Sequence, residues 1–117
     1  METRPRLTLE DLRAFKRTGK KFSVLTCYDA AIARLMQEAG VEVLLVGDTA
    51  AEVVLGLPST QEISPEFLLT LTAAVRRGAP NAIVMADLPL ACRVEGDPNA
   101  TAQWARRFHV ETGSDAV

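Results

Sequence analysis

The chain has 117 residues, 48% of them hydrophobic and 24% charged, which supports one domain-sized core and excludes a disordered chain. A net charge of −2 and only 5% aromatic residues exclude nucleic-acid binding through a basic or base-stacking surface. Two cysteines too far apart for a metal-type pair, a charged N-terminus without an apolar leader, and no apolar run near 18 residues point to a reduced cytoplasmic protein without membrane contact.

Residues 7–17 predict a helix. Thr8 can cap it with Asp11 three positions on, Leu9, Leu12 and Phe15 share one face, and Gly19 stops it. Residues 22–27 read as a first strand, and Asp29 reads as the N-cap of a helix over 30–39 rather than as a ligand. That helix turns Ile32, Leu35 and Met36 inward and ends at Gly40, where a left-handed glycine belongs. The run Val43-Leu44-Leu45-Val46 then reads as a strand buried on both faces, closed by Gly47, Asp48 and Thr49.

Residues 48–63 lack helical periodicity but are too apolar for disorder. They predict an ordered active-site loop with a short helical turn near 50–53. Ser64-Pro65-Glu66 starts a helix running to about Arg77. Arg76 and Arg77 are expected to be solvated there, compensating the helix dipole, and Gly78 is expected to end the helix. Residues 82–86 form a third strand with Asp87 behind it. Asp97-Pro98 opens a helix to about Thr112, anchored by Trp104, Ala105 and Phe108 and closed by Gly113. His109 complements the dipole of its last turn. Cys27 and Cys92 read as inert thiols. Asp115-Ala116-Val117 resembles the opening of a fourth strand.

The pattern is strand then helix, three times, with a strand beginning after it. The helix-ending glycines Gly40, Gly78 and Gly113 fall 38 and 35 residues apart, the spacing of βα units. Periodicity leaves a doubly wound sheet and a (β/α)₈ barrel both open, and three and a half units close neither. In either architecture the ends of the parallel strands form the reactive rim. Asp48 and Asp87 each close an apolar strand. Two such aspartates at one rim suit Mg²⁺, which takes carboxylate oxygens and keeps positions for water and substrate. The bland alternatives are an N-cap or turn for each aspartate and a local backbone bond for the Thr49 hydroxyl.

Four motifs carry a resemblance. Leu25-Thr26-Cys27-Tyr28-Asp29, Leu44-Leu45-Val46-Gly47-Asp48-Thr49, Ala73-Ala74-Val75-Arg76-Arg77-Gly78-Ala79-Pro80 and Ala86-Asp87-Leu88-Pro89 occur in an order and spacing that resemble the ketopantoate hydroxymethyltransferase family. The resemblance implies a single unit over 1–117, the N-terminal portion of a (β/α)₈ TIM barrel behind a short N-terminal helix. It implies transfer of a one-carbon unit from 5,10-methylenetetrahydrofolate to 3-methyl-2-oxobutanoate with Mg²⁺ as cofactor, in a homo-oligomer that is a decamer in the family. By motif, Asp48 and Asp87 match the metal aspartates, and Asp48, Thr49 and Asp87 contact the keto acid. Thr49 stands where serine is usual and keeps the hydroxyl. The family's lysine and glutamate on the fourth strand, and its general-base glutamate, would follow Val117. No catalytic base is therefore expected within these residues. Leu57-Pro58, Gln61-Glu62 and Leu71 depart from the family's usual residues and affect the loop contacts. A non-catalytic fragment or assembly module, and another Mg²⁺-dependent barrel enzyme acting on 2-keto acids, are the competing readings.

Overall fold

The computed structural model describes residues 4–117. Helix α1 (Leu9–Thr18) leads into strand β1 (Val24–Thr26), helix α2 (Ala30–Glu38), strand β2 (Val43–Val46), a short helix α3 (Ala50–Val53) and helix α4 (Pro65–Gly78). Strand β3 (Ile83–Ala86) and helix α5 (Pro98–Thr112) complete the order, with 3₁₀ turns at Thr60–Glu62 and Leu90–Cys92. The strands form one parallel sheet in the order β1-β2-β3, with Thr26 opposite Leu45 and Val46 opposite Ala86. Parallel neighbours need long crossovers, and the helices supply them.

Helix boundaries follow side-chain chemistry. Thr8 and Asp11 form a capping box. Asp29, Ser64 and Asp97 each accept an amide of the first turn, at 2.8, 3.4 and 3.0 Å. Gly113 closes α5 at φ 74°, a backbone state that a Cβ would strain. Gly78 behaves differently from expectation. It is the last helical residue of α4, and a Cβ built on it would overlap the Ala30 carbonyl oxygen. Its role is close backbone packing of α4 against the start of α2, not a left-handed stop.

Leu44, Val46, Val84 and Ala86 are buried with Leu68, Val75 and Phe108. Burying each such Leu, Val or Phe side chain stabilises by roughly 1.5–3 kcal/mol. The face carrying Leu44, Val46, Val84 and Ala86 lies wholly in the core, while on the other face Val43 and Ile83 are buried and Leu45 and Met85 are half-buried. The first strand is shorter than expected and lies at the sheet edge. Val24 and Leu25 remain 44% and 47% exposed. Helix α2 buries Ala33 and packs Met36 on the core, while Ile32 and Leu35 stay 43% and 53% exposed. The expectation that all three apolar residues turn inward fails for Ile32 and Leu35, because among the described residues no element lies beyond that side of β1 and α2.

A fourth strand begins beside β3. Ala116 bridges Met85 in parallel, Asp115 N–H donates to the Val84 carbonyl at 2.8 Å, and Ala86 N–H donates to the Ala116 carbonyl at 3.0 Å. Arg76 secures this start and is not the solvated residue expected. Its side chain is 12% exposed, pairs with Asp115 Oδ2 at 2.7 Å and donates to the Ala82 carbonyl at 2.6 Å. The same Asp115 oxygen accepts Val84 N–H at 2.9 Å. Arg77, by contrast, is exposed. No helix of the described residues is long and apolar enough to cross a membrane.

Candidate active-site rim

The C-terminal ends of the parallel strands share one rim. Asp87 follows β3 directly, and its N–H donates to the Val46 carbonyl at 2.9 Å, continuing the ladder past the strand. Extending the register one residue beyond Val46 and Ala86 sets Gly47 opposite Asp87. Extending it two residues beyond Thr26 and Leu45 sets Tyr28 opposite Gly47. Tyr28, Gly47 and Asp87 therefore form a row across three strands.

Glycine at the centre of that row leaves room. A Cβ on Gly47 would lie 3.2 Å from Asp87 Oδ2 and 3.3 Å from Thr49 Oγ1, tighter than ordinary contact. The slot over Gly47 is thus bracketed by a carboxylate on one side and a hydroxyl on the other. Asp48 N–H donates to Asp87 Oδ2 at 3.0 Å, tying the two aspartates together through the backbone of one and the side chain of the other. Burial, the charge of Asp87 and, more weakly, that of Glu52 push the Asp48 carboxyl above its ordinary value. Repulsion between ionised carboxylates at a half-buried rim is relieved by a bound cation. A pair of carboxylates is a sparse ligand set, which fits Mg²⁺, since that ion retains waters and takes oxygen atoms from its substrate. Among the described residues no cluster of three or more His, Cys, Asp or Glu side chains is placed to hold a metal.

Thr49 is exposed, and its hydroxyl is hydrogen-bonded to the phenol of Tyr28. Asp48, Thr49 and Asp87 are thus gathered at one rim. Tyr28 belongs there too, and it was not among the expected site residues. The signal for it was an aromatic hydroxyl just past the first strand, masked by its neighbour Asp29, which caps α2. Residues expected to be inert are placed accordingly. Burial raises the Cys27 and Cys92 thiols. His109 lies in the last turn of α5, with Nδ1 donating to the Ser114 carbonyl at 2.6 Å.

The sequence profile of the family described as ketopantoate hydroxymethyltransferase matches residues 6–117. The chain belongs to the ketopantoate hydroxymethyltransferase family. It is 46% identical over 112 residues to a 3-methyl-2-oxobutanoate hydroxymethyltransferase of Acidothermus cellulolyticus, covering 96% of this chain and 41% of that protein. It is 48% identical over 114 residues to the protein of the same name from Frankia casuarinae, covering 97% and 38%. The chain therefore spans about 40% of the length of these curated relatives. Among solved structures it superposes on a phosphoenolpyruvate phosphomutase from Streptomyces platensis with a TM-score of 0.75 at 21% identity, covering 95% of this chain and 37% of that one. That likeness concerns the fold, which is the N-terminal portion of a (β/α)₈ barrel.

Proposed function

We propose that this segment carries the metal- and keto-acid-binding rim of a 3-methyl-2-oxobutanoate hydroxymethyltransferase, an enzyme that moves a one-carbon unit from 5,10-methylenetetrahydrofolate to the keto acid. The observation that supports the reading best is the coupling of Asp48 to Asp87 across adjacent parallel strand ends, in a chain matched by the family over nearly its full length. Asp48 and Asp87 would hold Mg²⁺, directly or through water. Bound there, the ion supplies Lewis-acid chemistry, drawing negative charge from the oxygens of a 2-keto acid as C3 becomes acidic.

The chain's own residues have separate tasks. Asp87 is fixed by the Asp48 amide, so one of its oxygens is oriented before any ligand arrives. Gly47 keeps the slot between Asp87 and Thr49 open for the ligand. Thr49 offers a hydroxyl to an anionic oxygen of the keto acid, a contact that one lost hydrogen bond values at about 1 kcal/mol. The base for the C3 proton is assigned to the part of the relatives that lies after the stretch this chain matches.

The test is a chimera in which this segment replaces the matching 112 residues of the Acidothermus cellulolyticus relative. It is expected to form 2-dehydropantoate from the keto acid in a folate- and Mg²⁺-dependent reaction. Asp48→Asn keeps the shape and removes one full negative charge, so activity should fall roughly 10³-fold or more. Near-normal turnover by that variant would overturn the metal assignment.

A further inference from the structure

We propose that Tyr28 is a positioning residue for Thr49: its phenol O–H donates to Thr49 Oγ1, holds that side chain in one rotamer, and leaves the Thr49 proton free to donate to an anionic ligand oxygen in the slot over Gly47. The inference rests on reading the rim as a keto-acid site, and it concerns how that site is organised in advance of binding.

The starting point is a hydroxyl without its usual task. Threonine at a helix N-cap normally spends its oxygen on an amide of the first turn. Thr49 holds that place before α3 and makes no such bond. The amides that would compete for it are already satisfied: Ala50 N–H donates to the Gly47 carbonyl at 3.1 Å, Ala51 N–H to that of Asp48 at 3.0 Å, and Glu52 N–H to that of Thr49 at 3.0 Å. An exposed threonine with no local partner would spread over its staggered rotamers. Tyr28 removes that freedom. Its ring packs on the hydrophobic core, and its hydroxyl meets Thr49 Oγ1 from the neighbouring strand end.

Direction follows from chemistry. A phenol is the stronger donor and an aliphatic hydroxyl oxygen the better acceptor, so the shared proton belongs to Tyr28. The remaining proton, on Thr49, then has no acceptor to satisfy among the described residues. Thr49 Oγ1 and Asp87 Oδ2 flank the same missing Cβ of Gly47. A ligand in that slot therefore meets a donor on one side and the metal-binding carboxylate on the other, the polarity that suits an oxyanion next to a cation.

Freezing one rotamer of three is worth a factor of about three in affinity, and more where the held hydroxyl is also polarised. In the chimera, Tyr28→Phe is expected to raise the KM for the keto acid about three- to tenfold while leaving kcat within about twofold. Thr49→Val should raise KM as well, and the double variant should bind no more weakly than Thr49→Val alone, since the phenol then has nothing to hold. Thr49→Ser should retain the sensitivity to Tyr28→Phe. Additive losses in the double variant would overturn the proposal, because Tyr28 would then act on the ligand itself. Crystal structures of the ligand-free chimera give an independent reading: one Thr49 rotamer in the parent, several in Tyr28→Phe, whose ring lacks the hydroxyl. An unchanged rotamer would overturn the proposal even in an active enzyme. A chimera with no keto-acid turnover but a released Thr49 in Tyr28→Phe would sink the functional reading and leave the holding interaction standing.

Discussion

At Asp48 the proposed metal-binding role and folding stability pull in opposite directions. Burial and the adjacent Asp87 charge raise its carboxyl above the ordinary carboxylate value. The folded chain therefore takes up this proton more readily than the unfolded chain, and stability from the group is full at low pH and lost as pH rises through the raised value. At neutral pH the ionised side chain opposes folding of the metal-free protein. Asp48→Asn is accordingly expected to raise the melting temperature of the metal-free protein at pH 7, with the gain shrinking as pH is lowered toward the ordinary carboxylate range. Mg²⁺ should raise the melting temperature of the parent and not that of the variant. Thermal melts at both pH values, with and without the ion, measure this. A variant that melts lower than the parent at pH 7 without metal would show that the repulsion at the rim is already relieved by the protein. Both aspartates were legible in the sequence, because each ends an unbroken apolar run. Tyr28 was not, since its place in the row depends on strand register, which emerges only when the strands pair.

At the scale of elements, the start of the fourth strand is held by a largely buried ion pair between Arg76 and Asp115, with the exposed Arg6 reaching the other Asp115 oxygen at 3.3 Å. Arg76 and Asp115, 12% and 14% exposed, meet across 39 positions of sequence, and Asp115 also receives the Val84 amide. Such a pair is weak evidence of net stability, but removing Arg76 leaves Asp115 with only the exposed Arg6 as counter-ion and takes a donor from the Ala82 carbonyl, a loss of about 1.5–3 kcal/mol for hydrogen bonds to a charged group. Arg76→Leu is therefore expected to lower stability by roughly 2 kcal/mol and to loosen the fourth strand selectively. Hydrogen exchange is the measurement, with the Asp115 and Ala86 amides, which pair β3 with the fourth strand, losing protection before the Leu44 amide does. Equal protection in parent and variant would remove the latch. The dipole rule misjudged Arg76 because that rule is local, whereas the residue's burial is decided by a carboxylate far along the chain. Gly78 was misjudged for a related reason: a glycine at a helix end reads as a stop, and only tertiary packing reveals the Ala30 backbone against it. Caps were legible throughout, since Thr8, Asp29, Ser64 and Asp97 act on amides within three residues.

For the whole molecule, the alternation of strands and helices was legible, and the apolar positions of the first unit show what the segment leaves open. Phe22, Val24, Leu25, Ile32 and Leu35 are all exposed, and they cluster on β1, its approach and the adjoining face of α2. β1 is also the sheet edge, with unpaired backbone groups along one side. In a closed eight-stranded barrel that edge and that helix face are covered by the last strand and its helix, as barrel closure requires. The other side of the sheet ends at Ala116, and Val110 of α5 is exposed there in turn. An uncovered edge beside aliphatic side chains is a template for association. The 117-residue polypeptide on its own is therefore expected to self-associate, with sedimentation coefficients that rise with concentration. Leu25→Lys combined with Leu35→Lys should reduce that association by placing charges along the seam. Supplying the rest of the Acidothermus cellulolyticus relative as a second polypeptide should suppress it by covering both sides. Sedimentation velocity over a wide concentration range would decide. A concentration-independent monomer that melts cooperatively would mean that the exposed residues on β1 and α2 are tolerated as ordinary surface.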